Sequence, residues 1–511
     1  MLSLLLAYVL TCVLVQQAQI YLIAKELRPD NRSVKALILE ISLITLVFTA
    51  ALVLSYRPFL ASIITLALST VFLVVNQAKY KALAEPLVFS DIYLYLQVFS
   101  HPRLFLPFLN LPLTFLAISI GLALLYLAAV LEPALTINRM IVSLLALLMS
   151  LFLLVAIRKL ALEFKLSFQT KKDLRELGFF NSLIIYFTQA LQKKHLDNFK
   201  NLVQKNSPYA QSTQLAGEHP TIIVIQSESF FDPRQLSPSI KTEVLEAFDK
   251  IKTNSAQTGK LTIPAWGANT LRSEYAFLSG FNNQELSYYR YNPYEFLQNF
   301  SSVSIASYLK SLGYRCICIH PNHSAFFKRD KIFPLIDFDE FIDIKEFDSS
   351  QTAGPYISDQ AVYEKIQELL NKKPDTQALF IFAITMENHG PLHLESHTET
   401  DLNQLYQSEP PKQHHDLTIY LKHLKNADRM LLSLTEGLKA RKEMTWLAWY
   451  GDHIPSMPAV YQELNWQDGR SEYLIWNNRE TQQPNQQIEL SIEQLGIELL
   501  KRAGFGIADK T

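Results

Sequence analysis

The sequence predicts an α-helical transmembrane bundle of about five spans, followed by an α/β domain with a mostly parallel central sheet. Three observations predict it. Apolar residues crowd the first third of the 511 positions, in runs near the roughly 20 residues that cross a bilayer. The remainder alternates short β-branched runs with helical stretches, the pattern of an α/β domain. Polar residues follow those runs directly, where open parallel sheets carry their active sites.

The formal net charge of −1 offers no basic surplus for nucleic acid and no acidic tail. Of three cysteines, Cys12 lies in the first apolar run, while Cys316 and Cys318 fall two apart on a predicted strand. That is no disulfide framework, and buried strand thiols account for the later pair.

Leu2–Ala24 is long enough to span a bilayer and lacks the basic start and cleavage site of a signal peptide. Four further runs lie near Ala36–Ser55, Leu60–Val75, Leu104–Leu131 and Ile137–Ile157, and of the five spans the third, Leu60–Val75, is short. Between the third and fourth, Lys79 to Ile92 reads as a structured loop: Pro86 ends a helix, and Ser90 or Asp91 can cap the next. Residues 1–157 are expected as a transmembrane domain, 158–215 as a juxtamembrane linker and 216–511 as the catalytic domain. Within the linker, Leu177–Phe187 suits an amphipathic interfacial helix with Lys171, Lys172 and Arg175 towards head groups; a helix packed on the soluble domain fits as well. An odd span count puts the two ends on opposite sides. The positive-inside rule assigns the loop with Lys25, Arg28, Arg32 and Lys35 to the cytoplasm, and the C-terminal domain with it.

Strands are expected at Thr221–Ile225, Arg315–His320, Ala378–Thr385 and Met444–Tyr450, and helices at Ser304–Leu312, Ser358–Leu370 and Leu417–Lys439. The segment Gly267 to Gly280 places Thr270, Arg272 and Glu274 within five positions, ahead of an apolar run. Asn269 is the expected N-cap, setting Thr270 at a helix N-terminus that favours anions. Arg272 adds a forked positive charge suited to phosphate. A threonine hydroxyl needs a base or a metal ion to become a nucleophile. A capped helix with ordinary surface charges fits this segment equally. Elsewhere, Glu228 follows the first strand, Asn388 and His389 follow another, and Gly451-Asp452-His453 follow the last. Glu228, Asp452 and His453 supply two hard oxygens and an imidazole for a divalent cation, beside which Thr270 becomes an activated nucleophile.

The order Glu228-Ser229-Phe230, Thr270 with Ser273-Glu274-Tyr275, Asn388-His389-Gly390-Pro391 and Gly451-Asp452-His453 resembles the lipoteichoic acid synthase and phosphoglycerol transferase branch of the alkaline phosphatase/sulfatase superfamily. The resemblance implies a sulfatase-like domain behind five spans. It further implies one Mn²⁺ or Mg²⁺ held by Glu228, Thr270, Asp452 and His453, with Thr270 as nucleophile. His389, Arg329 and Phe327 match substrate-binding positions, the family often carrying Trp where Phe327 stands. The implied donor is phosphatidylglycerol and the implied acceptor a glycan or glycolipid, at a bacterial inner membrane with the catalytic domain outside. That side is opposite to the one the charge count gives. Leu271-Arg272 replaces the Ser-Asp usual after the nucleophile in lipoteichoic acid synthases, and looks closer to members from Gram-negative bacteria.

Three rivals are distinguishable. A sulfatase needs Cys or Ser in a Cys/Ser-x-Pro-x-Arg setting, which Asn269-Thr270-Leu271-Arg272 lacks. A phosphoethanolamine transferase acting on lipid A or a glycan shares threonine, metal and spans, but commonly carries several disulfides. A non-catalytic membrane sensor or scaffold would bind no metal.

Overall fold

In the computed structural model, residues 2–95, 98, 102, 111–210, 219–374, 376–479 and 485–507 are described. The chain divides into two compact units, Met1–Leu196 and Asp197–Thr511. Residues 211–218, which include the boundary expected at 215/216, lie outside the described residues.

Among the described residues, five helices of the first unit are long and apolar enough to cross a membrane: Leu2–Leu22, Val34–Ser55, Pro58–Leu83, Pro112–Leu131 and Arg139–Glu163. Pro112–Leu131 buries none of its most apolar stretch, as a lipid-facing helix would. The third helix corrects the short run expected at Leu60–Val75. It continues through Asn76 and Lys79 because the returning loop engages the Asn76 amide oxygen and the Lys79 ammonium. Asn76 Oδ1 accepts the Leu87 N–H at 2.9 Å. Lys79 Nζ donates to Asp91 Oδ2 at 2.6 Å, to Glu85 Oε2 at 2.9 Å and to the Pro86 carbonyl at 3.1 Å. The loop is structured, and Asp91 also accepts the Val88 N–H at 2.8 Å. Residues 104–110, expected to open the fourth span, lie outside the described residues.

The single helix expected over Leu177–Phe187 is two, Thr170–Leu177 and Phe179–Ala190. Gly178 at φ 95° ends the first, donating its N–H to Leu174 O at 2.9 Å. The second packs on the spans. Asn181 Nδ2 donates to Ala36 O at 2.8 Å, and Gln189 Nε2 to the carbonyls of Ala161 and Phe164, each at 2.8 Å.

In the second unit all four expected strands and all three expected helices form, with ends moved by a few residues. The central sheet runs in the order Gln486–Gln487, Gln257–Thr262, Ser471–Asn477, Thr445–Gly451, Thr221–Ser227, Leu379–Ile384, Arg315–Ile319, Glu340–Ile342, with Leu490–Ser491 also paired to Gln257–Thr262. The five strands from Thr445–Gly451 to Glu340–Ile342 are parallel. Ser471–Asn477 runs antiparallel to both neighbours. Thr221–Ser227 is central and wholly buried, which is why Ile222 to Ile225 form a continuous apolar run. Alternate residues of this sheet face opposite layers. Ile381 and Leu447 join the core that includes Leu424 and Leu431 of helix His414–Lys439. On the other face, Phe277 stacks between Phe382 and Tyr450, at 5.6 and 5.2 Å between ring centres. Helix Thr270–Ser279 is thereby fixed on the sheet, and all ten of its residues are buried. Cys316 and Cys318 are buried free thiols of a sheet strand, as expected.

Candidate active site

The carboxyl ends of the parallel strands bring the candidates together. Glu228 follows the central strand, its N–H donating to Thr385 Oγ1 of the neighbouring strand end at 3.0 Å. Asp452 and His453 follow Thr445–Gly451 on the other side. A side chain at Gly451 would overlap the Phe230 carbonyl, so only glycine lets the two strand ends lie this close. Gly267 N–H donates to Ile454 O at 3.1 Å, tying the approach to Thr270 to the segment after His453. Ser273 Oγ donates to the Asp452 carbonyl at 2.6 Å, one turn along the same helix.

Asn269 occupies the N-cap position but does not cap with its side chain, contrary to expectation. Its backbone is left-handed, at φ 70° and ψ 40°, and no side-chain hydrogen bond is made. Asparagine tolerates that conformation better than most residues. The sharp turn, rather than a cap, aims Thr270 at the cluster.

His453 Nε2 lies 3.4 Å from Thr270 Oγ1, 3.3 Å from Asp452 Oδ2 and 3.6 Å from Glu228 Oε1. Each of Glu228, Asp452 and His453 is buried, and their ligand atoms fall within 4.8 Å of one another. His453 Nδ1 donates to Ile454 O at 3.0 Å, which leaves Nε2 as an acceptor turned to the carboxylates. Asp452 Oδ1 accepts the N–H groups of Ser229 and His453, at 2.9 and 3.0 Å. Its Oδ2 is buried and makes no hydrogen bond. Burial, then the charge of Asp452, pushes Glu228 up to about 8, although His453, Ser229 and Arg329 pull the other way. Two buried carboxylates, an unmatched oxygen and an imidazole lone pair are the donor set of a divalent cation. The residues fit such a group.

Around this centre stand the expected substrate-binding residues. Arg329 is 1% exposed and heavily engaged. Its Nη2 donates to Glu274 Oε2 at 2.7 Å, its Nε is shared between both Glu274 oxygens, and its Nη1 donates to His320 Nε2 at 3.1 Å. Phe327, at φ 57°, sets its ring 5.1 Å from the Arg329 guanidinium carbon. Arg272 is buried, donates through Nε to Tyr291 O at 3.2 Å and lies over the Tyr291 ring. His389 is half-buried, donates from Nδ1 to Gly390 O at 2.6 Å and meets the Tyr356 ring edge-on. Burial lowers its pKa, so it is neutral near pH 7.

Three residues of this shell have no expected role. Glu274 is fully buried and also accepts the Tyr294 hydroxyl at 2.7 Å. His320 directly follows Arg315–Ile319, and its Nδ1 donates to Ile384 O at 3.2 Å; burial, then Arg329, lowers its pKa well below the usual value. The strand-end rule that singles out Glu228 points to His320 equally. Ser229 donates to Glu228 Oε1 at 2.8 Å.

The profile of the sulfatase family matches residues 220–504, more than half of the chain. The chain belongs to the sulfatase family. Two bacterial relatives add context. The capsular polysaccharide biosynthesis protein RkpI of Rhizobium meliloti (strain 1021) is 28% identical over 457 residues, covering 85% of this chain and 80% of the relative. A putative cyclic β-1,2-glucan modification protein of the same organism is 27% identical over 304 residues, covering 56% of this chain and 46% of the relative. Among solved structures, the integral membrane lipooligosaccharide phosphoethanolamine transferase A of Neisseria meningitidis superposes with a TM-score of 0.55. It does so over 94% of this chain and 97% of its own, at 11% identity. That likeness extends the shared fold to the membrane helices, as the sequence leads one to expect.

Proposed function

We propose that this sulfatase-family chain transfers the phosphoglycerol head group of phosphatidylglycerol to a glycan or glycolipid acceptor. The observation that carries the reading is Thr270 at the start of a buried helix, its hydroxyl 3.4 Å from His453 Nε2 and beside Glu228 and Asp452. In the first step Thr270 Oγ attacks phosphorus; the Thr–O–P bond forms, and the bond to the diacylglycerol oxygen breaks. Diacylglycerol leaves with a proton on that oxygen. An acceptor hydroxyl then attacks the same phosphorus, its oxygen keeps the phosphoglycerol, and Thr270 regains its proton. A Mn²⁺ or Mg²⁺ ion held by Glu228, Asp452, His453 and Thr270 would lower the hydroxyl's pKa and offset charge on the phosphoryl oxygens. Neutral His389 and the N–H groups of Arg329 not engaged by Glu274 and His320 orient the head group, with Phe327 against the glycerol. Arg272 acts through Tyr291, shaping the wall.

The names of both Rhizobium relatives favour a saccharide acceptor. The membrane is the bacterial inner membrane, with the catalytic unit on the outer side where envelope acceptors lie. The test is intact mass of the full-length protein after incubation with phosphatidylglycerol vesicles and Mn²⁺. A gain of one phosphoglycerol, absent in Thr270→Ala, is the expected result. A phosphoethanolamine adduct from phosphatidylethanolamine instead would overturn the donor while keeping Thr270. No adduct from either lipid, with turnover surviving in Thr270→Ala, would sink the mechanism.

A further inference from the structure

The loop that carries Asn388 and His389 is anchored by a buried charged bridge. His423 lies inside helix His414–Lys439, with its side chain 3% exposed. Its Nδ1 is 3.0 Å from Glu387 Oε1 and its Nε2 is 3.0 Å from Glu395 Oε2. An ionised carboxylate can only accept, so a ring bonded to one on each side carries both protons and a positive charge. Burial alone would lower the pKa of this ring. The bonds to Glu387 and Glu395 outweigh that and push it up to about 9.

Position in the chain gives the bridge its meaning. Glu387 directly precedes Asn388 and His389, and Glu395 closes the same loop after the turn Leu392–Leu394. One imidazolium thus grips both ends of the loop and ties them to a 26-residue helix whose apolar face is core. Other groups complete the hold on Glu387. Asn426 Nδ2 donates to its Oε1 at 2.5 Å, and the Asp359 N–H to its Oε2 at 2.8 Å. Above the loop, the hairpin Thr352–Ile357 presses Gly354 so near Glu395 that a side chain there would overlap the carboxylate. Tyr356 of that hairpin donates its hydroxyl to Gly390 O at 2.8 Å.

What the loop holds in place belongs to the site. The loop leaves the strand Leu379–Ile384 at Thr385, whose Oγ1 accepts the Glu228 N–H at 3.0 Å. Asn388 is 2% exposed, and neither its amide oxygen nor its amide nitrogen has a hydrogen-bond partner. A buried amide left unpaired is costly, and such a group is usually explained by a ligand or by catalysis. We infer that His423, bridging Glu387 and Glu395, is a positioning residue that locks the 387–395 loop and so sets Asn388 and His389 for the transferred head group. The inference rests on the phosphotransfer reading, deepening it with a residue that touches neither metal ligands nor substrate. Ordinary salt-bridge stabilisation of the fold is the competing account.

Two variants of the full-length protein separate these. His423→Gln can donate to one carboxylate but cannot bridge both. Glu395→Ala opens only the outer grip, at a side chain 19% exposed, and keeps folding intact should the first variant misfold. Hydrogen–deuterium exchange of peptides over 386–396 should quicken roughly tenfold in both variants, with the strand Thr221–Ser227 unchanged. Turnover of phosphatidylglycerol should fall about 10²-fold through kcat, as for reacting groups displaced by about 1 Å. The thermal shift on adding Mn²⁺ should stay as in the parent, because no cation ligand lies in the loop. Unchanged exchange over 386–396 would overturn the lock. Faster exchange with parental kcat would overturn the positioning role, and a lost Mn²⁺ shift would show a general structural defect instead. If the parent itself turned over no lipid, the transfer reading would fail, and the exchange comparison would still decide the lock.

Discussion

Glu228 and Asp452 are two buried carboxylates facing one another, and that arrangement makes the metal-free protein sensitive to pH in an unusual direction. Glu228 has an ordinary value of 4.5 and is pushed up to about 8 by burial and then by Asp452. In the unfolded chain it releases its proton near 4.5; in the folded chain it keeps it until near 8. Between those values the native state binds more protons than the unfolded one, so stability falls as pH rises. A separation from 4.5 to about 8 corresponds to about 5 kcal/mol at most. Relaxation and water entry around a buried ion leave a fall of about 2–4 kcal/mol. For a unit of this size that is about 4–10 °C in Tm. The assay is a thermal melt of chelator-treated full-length protein from pH 5 to pH 8.5, with and without Mn²⁺. We expect Tm to drop as pH rises without metal, and Mn²⁺ to restore it at the alkaline end by mass action. Glu228→Gln should melt higher than the parent at pH 8 without metal, lose the pH slope and gain nothing from Mn²⁺. A parent whose metal-free Tm matches that of Glu228→Gln at every pH would refute the reasoning, because Glu228 would then not be a strained, ion-ready carboxylate.

Further outcomes follow from the same geometry. Thr270→Ala should abolish the covalent adduct and lower turnover by at least about 10³-fold, while the Mn²⁺ thermal shift, with Glu228, Asp452 and His453 in place, is retained. Arg329→Ala should cost about 3–5 kcal/mol, because it leaves Glu274 charged and fully buried with its cation gone. Pairing it with Glu274→Gln should recover much of that Tm loss, so only the double variant reports on substrate contact. Burial holds the His389 pKa below its usual 6.5, so the acid limb of kcat/KM should lie below that value and vanish in His389→Asn. Gly451→Ala should fail to accumulate or melt well below the parent, since its methyl group meets the Phe230 backbone rather than a movable side chain.

Much of this was legible in the chain itself, for identifiable reasons. Central parallel strands are buried on both faces, so Ile222 to Ile225 and Phe380 to Ile384 read as unbroken apolar runs. Glu228, Asp452 and His453 stand immediately after such runs, which is why this buried cluster could be picked out as a candidate without coordinates. Gln257–Thr262 escaped notice because it is polar, partly exposed and contains Gly259. Ser471–Asn477 opens on Ser471 and Glu472, and its burial depends on neighbours from elsewhere in the chain. The full length of the third membrane helix was hidden for a related reason: Asn76 and Lys79 look like an end until Leu87 and Asp91 return to them. Arg329 is the most instructive residue. A motif marks it as a phosphate binder, but only the fold shows Glu274 and His320 already holding it.

The central strand also bears on how the chain is made. Thr221–Ser227 emerges from the ribosome long before either neighbour: Glu228 precedes its partner Thr385 by 157 residues, and Ser229 precedes Asp452 by 223. Until then a strand with the apolar run Ile222 to Ile225 has both edges open, the condition under which nascent sheets aggregate. Contacts this distant in sequence form late and slowly. Residues 222–225 therefore lack both sheet partners until Leu379–Ile384 and Thr445–Gly451 have been made. The cluster of Glu228, Asp452 and His453 is accordingly complete only when the strand Thr445–Gly451 has joined the sheet.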